Sequence, residues 1–305
     1  MRRTIPATHA LLCFEAAARL ESFTRAAQEL SLTQSAISRQ ITALEELVGT
    51  PLFRRTRHGV AVTQAGARYA KQVTLRLRAL EQDTLDVMST QGRGGSVRLA
   101  SVPTFAARWL IPRLPGFAKA HPDITVHIDT RTRPFMFADT LFDAALYSGT
   151  VQQVAQWAGT RAQMLLAEEV LPVCSPALLQ GRKSLPPAAI ANLPLLQQST
   201  RPECWQTWFA ACGVDAPLAL AGPRYEQFSM TAAAAIHGLG VGLVPRLLIE
   251  EELRTGQLVI AHPQALAEAR HYWVIQPEGA APNTALDTFL TWLDTQTTLR
   301  AGSGL

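Results

Sequence analysis

Two helical patterns separated by a three-residue break constrain the start of this chain more than any other feature. The first, from Ser22 to Leu30, begins with a side chain that can accept a backbone hydrogen bond as an N-cap. The second begins at Thr33, another N-cap candidate, and ends where Gly49 is followed by Pro51. Apolar residues recur along it at steps of four, three and four, which predicts one buried stripe: Ile37, Ile41, Leu44 and Val48.

The opposite face of the second helix is polar and short. At about 100° per residue, four side chains fall together there: Ser35, Ser38, Arg39 and Thr42. The planar fork of Arg39 can pair with guanine O6 and N7, and the hydroxyls can reach base edges or phosphate oxygens. Two short helices with this polarity are typical of a helix-turn-helix that places its second helix in the major groove of duplex DNA.

A hairpin pattern follows the helix pair. Alternating residues from Leu52 to Thr63 flank His58-Gly59, which predicts a two-stranded wing. Three arginines lie on it, and we expect them to contact phosphates, with minor-groove insertion as a further role: Arg54, Arg55 and Arg57. Such contacts fix the position of a protein on DNA more than they read its sequence.

The charge of the chain is unevenly distributed. Residues 1–78 hold 12 basic and 5 acidic side chains, a net charge of +7, whereas the remainder holds 16 basic and 19 acidic side chains, a net charge of −3. This asymmetry favours a polyanionic partner for the first part only. A solvated basic face without a partner would have the same composition, so charge alone does not decide between them.

Residues 64–89 predict one long helix, capped by Thr63 and extending to about Met88. Its apolar and small residues alternate steps of four and three, which is typical of a coiled-coil seam: Gly66, Ala70, Val73, Leu77, Leu80, Thr84 and Val87. We interpret it as a homodimerisation helix; the alternative is that the seam packs against the chain's own C-terminal domain. A dimer would hold two recognition helices about 34 Å apart, which implies a DNA site with an interrupted inverted repeat.

Beyond a glycine-rich hinge at residues 90–96, strands alternate with helices, which predicts parallel sheets with helices on both faces. The strands of a first lobe are predicted at Val97–Val102, Ile124–Thr130 and Phe142–Tyr147, with a helix to about Ala120. Those of a second lobe are predicted at Val170–Cys174, Leu195–Gln198 and Gly240–Val244, with helices at Pro202–Ala211, Met230–His237 and Arg246–Arg254. A strand at Tyr272–Ile275 and a helix at Thr284–Thr297 return to the first lobe.

These patterns divide the chain into five expected segments. They are a DNA-binding domain at 1–63, a linker helix at 64–89, a hinge at 90–96, a first lobe at 97–168 and 271–305, and a second lobe at 169–270. Two α/β lobes joined by crossing strands leave a cleft between them, where strand ends and helix N-termini favour an anionic ligand.

The stretch Ala26–Arg55 resembles the signature of LysR-type transcriptional regulators, with Ala, Leu, Gln, Ser, Ile, Leu-Glu, Gly and Leu-Phe-x-Arg at the family's spacing. The resemblance implies an α+β multidomain chain: a winged helix-turn-helix with a long linker helix, then a two-lobed α/β domain like a periplasmic binding protein. It implies a homodimer that assembles into a homotetramer, and a regulator controlled by a small molecule. The expected DNA contacts are Thr24, Thr33, Gln34, Ser35, Ser38, Arg39, Thr42, Arg54, Arg55 and Arg57.

The second half is similar to regulators of glycine cleavage, D-serine use and beta-lactamase expression, through Ile111-Pro-Arg-Leu, His121-Pro-Asp, Phe142-Asp-Ala, Pro172–Pro176 and Gly238–Pro245. The resemblance implies an effector site for an amino acid or small carboxylate at Ser101, Thr104, Thr130, Thr132, Ser199, Thr200, Gln227, Phe228 and Ser229. Each of these residues could also be an ordinary cap or turn residue. Arg131 and Arg133 favour an anionic effector if they face inward and mean little if they are solvated.

Other classes of function find little support. We expect no membrane span and no signal peptide, and hence a cytoplasmic protein, because long uncharged apolar runs are missing. The cysteines Cys13, Cys174, Cys204 and Cys212 show no metal or disulfide spacing, so we expect no metal and no cofactor. Gly238-x-Gly-x-Gly opens a strand, the reverse of the order a dinucleotide site requires. The remaining alternative is a small-molecule-binding protein or enzyme with an incidental helical N-terminus.

Overall fold

The computed structural model describes residues 4–57, 59–90, 94–266 and 270–301. The chain forms two compact units. The first lies within Met1–Arg93 and takes in Asp139–Leu141; the second comprises Gly94–Ala138 and Phe142–Leu305. Because each unit has its own hydrophobic core, each is described by itself.

The first unit consists of four helices and one hairpin. In chain order these are α1 (Thr8–Leu20), α2 (Phe23–Glu29), α3 (Gln34–Val48), β1 (Phe53–Thr56), β2 (Gly59–Val62) and α4 (Gln64–Thr90). The predicted caps are confirmed. The Ser22 hydroxyl accepts from the backbone N–H of Arg25, the Thr33 hydroxyl accepts from that of Ala36, and Gly49 ends α3 in the left-handed conformation with φ 66°.

The apolar stripe of α3 packs into the core of the first unit, against α1 and α2. Ile37, Ile41 and Leu44 are buried there, as predicted. Val48, the fourth predicted member, is 38% exposed, because α3 ends at this residue and extends past its packing partners. That part of the prediction is wrong.

The predicted hairpin is confirmed, with Phe53 opposite Val62 in an antiparallel register. His58, in its turn, lies outside the described residues. The Glu45 carboxylate of α3 accepts hydrogen bonds from the backbone N–H groups of Leu52 and Phe53, which fixes the start of the hairpin relative to α3. At Gly66, a Cβ would lie 2.0 Å from the carbonyl oxygen of Leu52, so α4 can pass this close only with glycine at that position.

Helix α4 begins after Thr63, whose hydroxyl accepts from the backbone N–H of Gly66, and it continues as one helix to Thr90. The prediction that its whole seam faces a partner is wrong for the first half. Val73 is buried in the core of the first unit, with Ala70 and Leu77 packed against it. Only the later seam residues are open, with Leu80 55% and Val87 62% exposed.

The second unit contains two five-stranded sheets. Its first half comprises β3 (Gly95–Ser101), α5 (Pro103–Phe105), α6 (Leu114–Ala120), β4 (Ile124–Thr130), a 3-10 turn (Phe137–Asp139), β5 (Ala144–Thr150), α7 (Val151–Val154) and β6 (Thr160–Ala167). Its second half comprises β7 (Val170–Cys174), α8 (Pro176–Leu179), α9 (Pro187–Ile190), β8 (Leu195–Gln198), α10 (Cys204–Ala211), β9 (Arg224–Tyr225), α11 (Phe228–Ile236), β10 (Val241–Pro245), a 3-10 turn (Arg246–Leu248), α12 (Glu250–Thr255), β11 (Val259–Ile260), β12 (Arg270–Pro277) and α13 (Thr284–Ala301).

The first lobe is built on the sheet β4-β3-β5-β12-β6. Strands β4, β3 and β5 are parallel, as predicted, but β12 runs antiparallel to both β5 and β6, so this sheet is mixed and the prediction of a parallel sheet is wrong for β12 and β6. Strand β6 is the strand of this sheet that the sequence analysis missed. The expected hinge at 90–96 overlaps β3, which already contains Gly95 and Ser96, while residues 91–93 lie outside the described part of the chain.

The segment between β3 and β4 is helical but irregular. After α5 comes a π-helical turn at Ala106–Leu110 and a 3-10 turn at Ile111–Arg113, and only then the regular α6. Proline lacks the N–H that an α-helix needs, which explains why the predicted helix is broken near Pro112 and Pro115. The buried rings of Phe105, Trp109 and Phe117 nevertheless pack this segment onto the first sheet.

The second lobe is built on the sheet β11-β7-β10-β8-β9. It is also mixed, because β10 is parallel to β8 and antiparallel to β7. Its predicted strands at Val170–Cys174 and Leu195–Gln198 are confirmed at both ends. The two lobes pack together, since Leu247 and Leu248 of the second lobe belong to the hydrophobic core of the first. Among the described residues, no helix is long and apolar enough to cross a membrane.

Candidate nucleic-acid interface and ligand cleft

The outer face of α3 presents hydrogen-bonding groups to the outside. Ser35, Arg39 and Thr42 are exposed, and Ser38 is half-buried, while the opposite face of the helix is packed in the core. Thr33 and Gln34, at the start of the helix, are exposed as well, and the hydroxyls of Thr33 and Ser35 lie 3.0 Å apart. The polar face predicted from helical periodicity is therefore accessible to a binding partner.

Two neighbouring elements add exposed polar groups. Thr24 is exposed in α2, and the wing arginines Arg54, Arg55 and Arg57 are all exposed. Within the described part of the chain, these arginines and Arg39 form no ion pair. Guanidinium groups without a counter-charge in the protein suit contact with the phosphates of a nucleic acid.

A cavity of about 310 Å³ lies between the two lobes of the second unit. It has charged, hydroxyl, amide and aromatic groups in its wall, and the first lobe contributes the segments after β3, β4 and β5. The polar and aromatic lining residues are Thr104, Phe105, Thr132, Arg133, Tyr147, Ser148, Gln153, Gln198, Thr200, Arg201, Glu226, Gln227, Phe228, Arg270 and Tyr272.

Five of the nine expected effector residues line this cleft: Thr104, Thr132, Thr200, Gln227 and Phe228. Ser229 lies next to them, because its backbone N–H donates a hydrogen bond of 3.3 Å to the hydroxyl oxygen of Thr104. This bond joins the first lobe to the N-terminus of α11 in the second. Arg133 also lines the cleft, although its side chain is exposed.

The structure places the other three expected residues elsewhere. Ser101 is buried at the end of β3 and donates its hydroxyl to the carbonyl oxygen of Val102. Thr130 pairs with Ser101 in the β3–β4 ladder, and its side chain is exposed. Ser199 is exposed and its backbone N–H donates to the carbonyl oxygen of Tyr225. Side chains alternate in direction along a strand, so single-residue positions at strand ends cannot be assigned from spacing alone.

Arg201, which lines the cleft, belongs to a buried ion pair that the sequence analysis missed. The Arg201 guanidinium donates to both carboxylate oxygens of Glu168, at 2.5 Å and 3.0 Å, and to the hydroxyl of Ser148 at 3.1 Å. Arg201 also lies over the ring of Phe228, with 4.8 Å between Cζ and the ring centroid. A bidentate pair of this kind is strong because two charge-assisted hydrogen bonds act together.

Tyr272 closes the wall beside this ion pair. Its ring stacks on Phe105, with 4.5 Å between the centroids. Burial raises the pKa of Tyr272 well above its usual value, and the adjacent Glu168 carboxylate adds to the effect, so the phenol stays protonated and donates to that carboxylate. The sequence contained one signal for Arg201, because it lies two residues after Ser199, an expected effector residue. Its burial could not be predicted, since it depends on contacts between residues far apart in the chain.

The cysteine thiols are reduced and mostly buried. Burial raises the pKa of Cys174 to about 11, and it raises the pKa of Cys13 and Cys212 as well. The thiolate is the reactive form, so these residues are poorly suited to redox chemistry. Among the described residues, no cluster of potential metal ligands is present.

A winged helix-turn-helix with an exposed polar recognition face, followed by a two-lobed α/β unit with a cleft between its lobes, defines a ligand-responsive, DNA-binding transcription regulator. The family profile described as "Bacterial regulatory helix-turn-helix protein, lysR family" matches residues 8–67. The profile described as "LysR substrate binding domain" matches residues 90–298. The chain belongs to the LysR family of transcription regulators.

Curated relatives agree with this assignment. The chain is 34% identical over 295 residues to the glycine cleavage system transcriptional activator of Escherichia coli K12, covering 96% of this chain and 94% of the relative. It is 33% identical to the transcriptional activator AmpR of Rhodobacter capsulatus, covering 94% of this chain and 96% of the relative. The matched families and relatives are transcription regulators rather than enzymes, and the resemblance to this subgroup is confirmed.

Solved structures share the fold. The effector-binding domain of AmpR from Citrobacter freundii superposes with a TM-score of 0.60 at 25% identity, covering 67% of this chain and 99% of that one. CrgA, a LysR-type regulator from Neisseria meningitidis, superposes with a TM-score of 0.57 at 21% identity, covering 95% of this chain and 98% of that one. Regulators of this family bind DNA and small-molecule effectors and form oligomers.

Proposed function

We propose that this chain is a regulator whose recognition helix α3 reads a promoter with an interrupted inverted repeat, under the control of a small carboxylate or amino acid bound in the cleft. The supporting observation is the division of α3 into a buried face of Ile37, Ile41 and Leu44 and an exposed face of Ser35, Arg39 and Thr42. On this basis Ser38 and Gln34 contact base edges or the nearby backbone, and the protein acts in the cytoplasm, where the chromosome lies.

Base reading and phosphate binding are separable by experiment. Arg39→Ala is expected to weaken binding to DNA from upstream of the gene, while a scrambled sequence of the same length is bound as before. Gel shifts at two salt concentrations measure both, because phosphate contacts make affinity fall steeply with salt. Arg182→Ala, which removes the same charge from an exposed turn of the second lobe, is the matched control. Equal losses on both DNA sequences would contradict base reading.

The DNA-binding unit is proposed to dimerise through the later part of the segment 64–89. The exposed side chains of Leu80 and Val87 lie beyond the part of α4 that is packed in its own unit. Leu80→Glu is therefore expected to lower the oligomeric mass measured by sedimentation. Leu218→Glu, at an exposed position of the second lobe, serves as the control. An unchanged mass for Leu80→Glu would show that this surface is not the dimer interface. The same measurement on the wild type distinguishes a dimer from the proposed tetramer.

The effector is proposed to bind the cleft residues Thr104, Thr132, Thr200, Gln227 and Phe228, with Ser229 at the N-terminus of α11. Helix N-termini and hydroxyl groups favour carboxylates, which supports this chemistry. The effector is proposed to bind the closed form of the lobes more tightly than the open form. Closure of the lobes then changes the arrangement of the paired winged helices. We propose the same segment bounds that the sequence predicts, including a second lobe at residues 169–270.

A further inference from the structure

Two further residues of the cavity wall present free hydrogen-bonding groups. Tyr147, in β5, and Gln153, in α7, both line the cleft, and neither belongs to the nine effector residues expected from the sequence. Both residues are half-buried. Within the described part of the chain, neither the Tyr147 hydroxyl nor the amide nitrogen Nε2 of Gln153 forms a hydrogen bond. Both groups are therefore open to a ligand.

The side chain of Gln153 is held in place by the start of α7. Its oxygen Oε1 accepts from the backbone N–H of Thr150 at 3.1 Å, and the Thr150 hydroxyl accepts from the backbone N–H of Gln153 at 3.3 Å. This reciprocal pair is a capping box, which fixes the first turn of the helix. Because Oε1 is occupied, the free part of the amide is its N–H donors.

The ring of Tyr147 is fixed beside this amide. It packs on Trp157, with 5.4 Å between the ring centroids. Gly149 lies two residues further along β5, on the same face of the sheet, and its carbonyl oxygen accepts from the Trp273 indole N–H at 2.9 Å. A Cβ at Gly149 would lie 2.7 Å from Cε1 of Tyr147 and 3.1 Å from Oε1 of Gln153. Both side chains therefore occupy the space that glycine leaves free, next to each other.

The two free groups are uncharged hydrogen-bond donors, one an amide N–H and the other a phenol O–H. A carbonyl oxygen has two lone pairs, so one such oxygen can accept from both. A ligand that displaces water from these donors without offering an acceptor leaves them unpaired, which costs free energy. The pair lies in the first lobe, whereas the proposed carboxylate site lies at the N-terminus of α11 in the second.

We propose that Tyr147 and Gln153 form a second subsite of the cleft, which binds an uncharged hydrogen-bond acceptor of the effector, of the carbonyl type. The inference rests on the proposed function, because it takes this cavity as the effector site. The effector then has two polar ends, a carboxylate for the second lobe and a neutral acceptor for the first. Gly149 is a positioning residue, because it leaves the space that both side chains occupy.

Two probes that differ by a single carbonyl oxygen test this subsite. Pentanoate and 4-oxopentanoate have the same carboxylate and the same carbon chain, but only 4-oxopentanoate has a neutral acceptor. Titration calorimetry and thermal shifts on the full-length chain give the affinity for each. Binding of pentanoate reports on the proposed carboxylate site, whereas the ratio of the two affinities reports on the second subsite.

The wild type is expected to bind 4-oxopentanoate about three- to tenfold more tightly than pentanoate, as one net hydrogen bond would give. Tyr147→Phe removes the hydroxyl but retains the ring that packs on Trp157, so the ratio should fall toward one. Tyr225→Phe is the matched control, because Tyr225 is half-buried in the second lobe and does not line the cavity. It is expected to leave the ratio unchanged.

Gln153→Glu is a second, independent variant. Glutamate keeps an oxygen for the backbone N–H of Thr150, which preserves the capping box, but it offers no N–H donor. Its negative charge weakens the binding of both carboxylates, and the ratio of their affinities should fall toward one. Gln152→Glu adds the same charge at the neighbouring exposed position, which does not line the cavity, and is expected to retain the ratio.

Gly149→Ala tests the positioning role. The added methyl group displaces Tyr147 and Gln153, so the preference for 4-oxopentanoate should be lost while pentanoate still binds. Gly116→Ala, where a Cβ meets nothing within 4 Å, is the control and should keep the preference.

The outcomes separate this subsite from the proposed function. A merely structural role of Tyr147 and Gln153 would weaken both probes together and leave their ratio unchanged, which would overturn the proposal. Equal affinities of the wild type for the two probes, or tighter binding of pentanoate, would overturn it too, while the proposed carboxylate site would stand. Binding of neither probe would contradict the carboxylate site itself and the second subsite with it.

Discussion

Thr104 and Ser229 come from different lobes and meet through one hydrogen bond, in which the backbone N–H of Ser229 donates to the Thr104 hydroxyl at 3.3 Å. Thr104 follows the first strand of the first lobe, and Ser229 lies in the first turn of α11 in the second. The bond therefore ties a strand end to a helix N-terminus across the cleft. Any ligand that competes for either group acts on the contact between the lobes.

Replacing Thr104 by valine tests this contact. Thr104→Val removes the acceptor while keeping the shape, and the half-buried N–H of Ser229 loses its partner, so we expect a loss of about 1 kcal/mol in the free energy of unfolding. Urea denaturation of the full chain measures it. Thr291→Val, at an exposed position of α13, is expected to change stability by less than about 0.5 kcal/mol. Equal effects of the two variants would show that the bond across the cleft contributes nothing.

The close approach of α4 to the Leu52 backbone predicts that alanine at Gly66 destabilises the protein, whereas alanine at Gly116 does not. Gly66→Ala would place a Cβ 2.0 Å from the Leu52 carbonyl oxygen, so backbone must shift and we expect a destabilisation of about 1–3 kcal/mol. Gly116→Ala, in α6, meets nothing within 4 Å and is expected to be neutral or stabilising by up to about 1 kcal/mol. Thermal unfolding followed by circular dichroism compares them. A Gly66→Ala variant as stable as Gly116→Ala would contradict the packing of α4.

An ion pair between the lobes, outside the cleft, is expected to contribute more to stability than an exposed ion pair does. Arg108 of the π-helical turn pairs with the buried Glu252 of α12. Arg108→Ala leaves that carboxylate without its partner, and because Arg108 is itself partly exposed we expect a loss of about 1–3 kcal/mol. Arg246→Ala breaks a pair with Glu169 in which both side chains are 53% exposed, and should cost less than about 1 kcal/mol. Chemical denaturation measures the free energy of unfolding of both variants. Similar losses for Arg108→Ala and Arg246→Ala would argue against the burial of Glu252.

The wing predicts a sequence-independent effect on DNA binding. Arg55→Ala removes an exposed guanidinium from β1, so affinity should fall to a similar extent on specific and scrambled DNA. The slope of log affinity against log salt should decrease by about 1, because one fewer counterion is released. Fluorescence anisotropy over a salt series measures both. A loss confined to the specific sequence would instead place Arg55 against a base.

The raised pKa of Cys174 predicts a loss of stability at alkaline pH. The folded thiol stays protonated up to about pH 11, whereas the unfolded thiol ionises above its usual value of 9.0. The unfolded state therefore binds fewer protons between these values, so stability falls as pH rises through this window, by about 2 kcal/mol in total. Urea denaturation at intervals from neutral pH to pH 11 should give a shallower decline for Cys174→Ala than for the wild type. Parallel declines would contradict the contribution of this thiol.

Local patterns were sufficient for the recognition helix because its features repeat within a few residues. The caps at Ser22 and Thr33, the end at Gly49 and the outward face containing Arg39 depend on helix geometry alone, and all agree with the structure. The fold class followed in the same way, since the alternation of strands and helices is a local signal.

Features that depend on distant contacts could not be obtained from these patterns. The seam of α4 has one periodicity, yet its first half packs on its own unit and its second half is exposed, because only the folded chain brings α1 against Val73. The antiparallel β12 was expected in a parallel sheet for the same reason. Strand direction depends on which segments pair.

The sequence by itself determined the winged helix-turn-helix, the polar face of α3 and the two-lobed α/β class, because helical and strand periodicity are properties of neighbouring residues. Only the tertiary structure decided the contacts at the cleft, where Arg201 and Tyr272 line the cavity and both interact with Glu168, although the three residues are separated by tens of residues along the chain. The physical reason is that a buried charge without its partner is strongly unfavourable, and partners far apart in the chain are brought together only by the packing of the lobes.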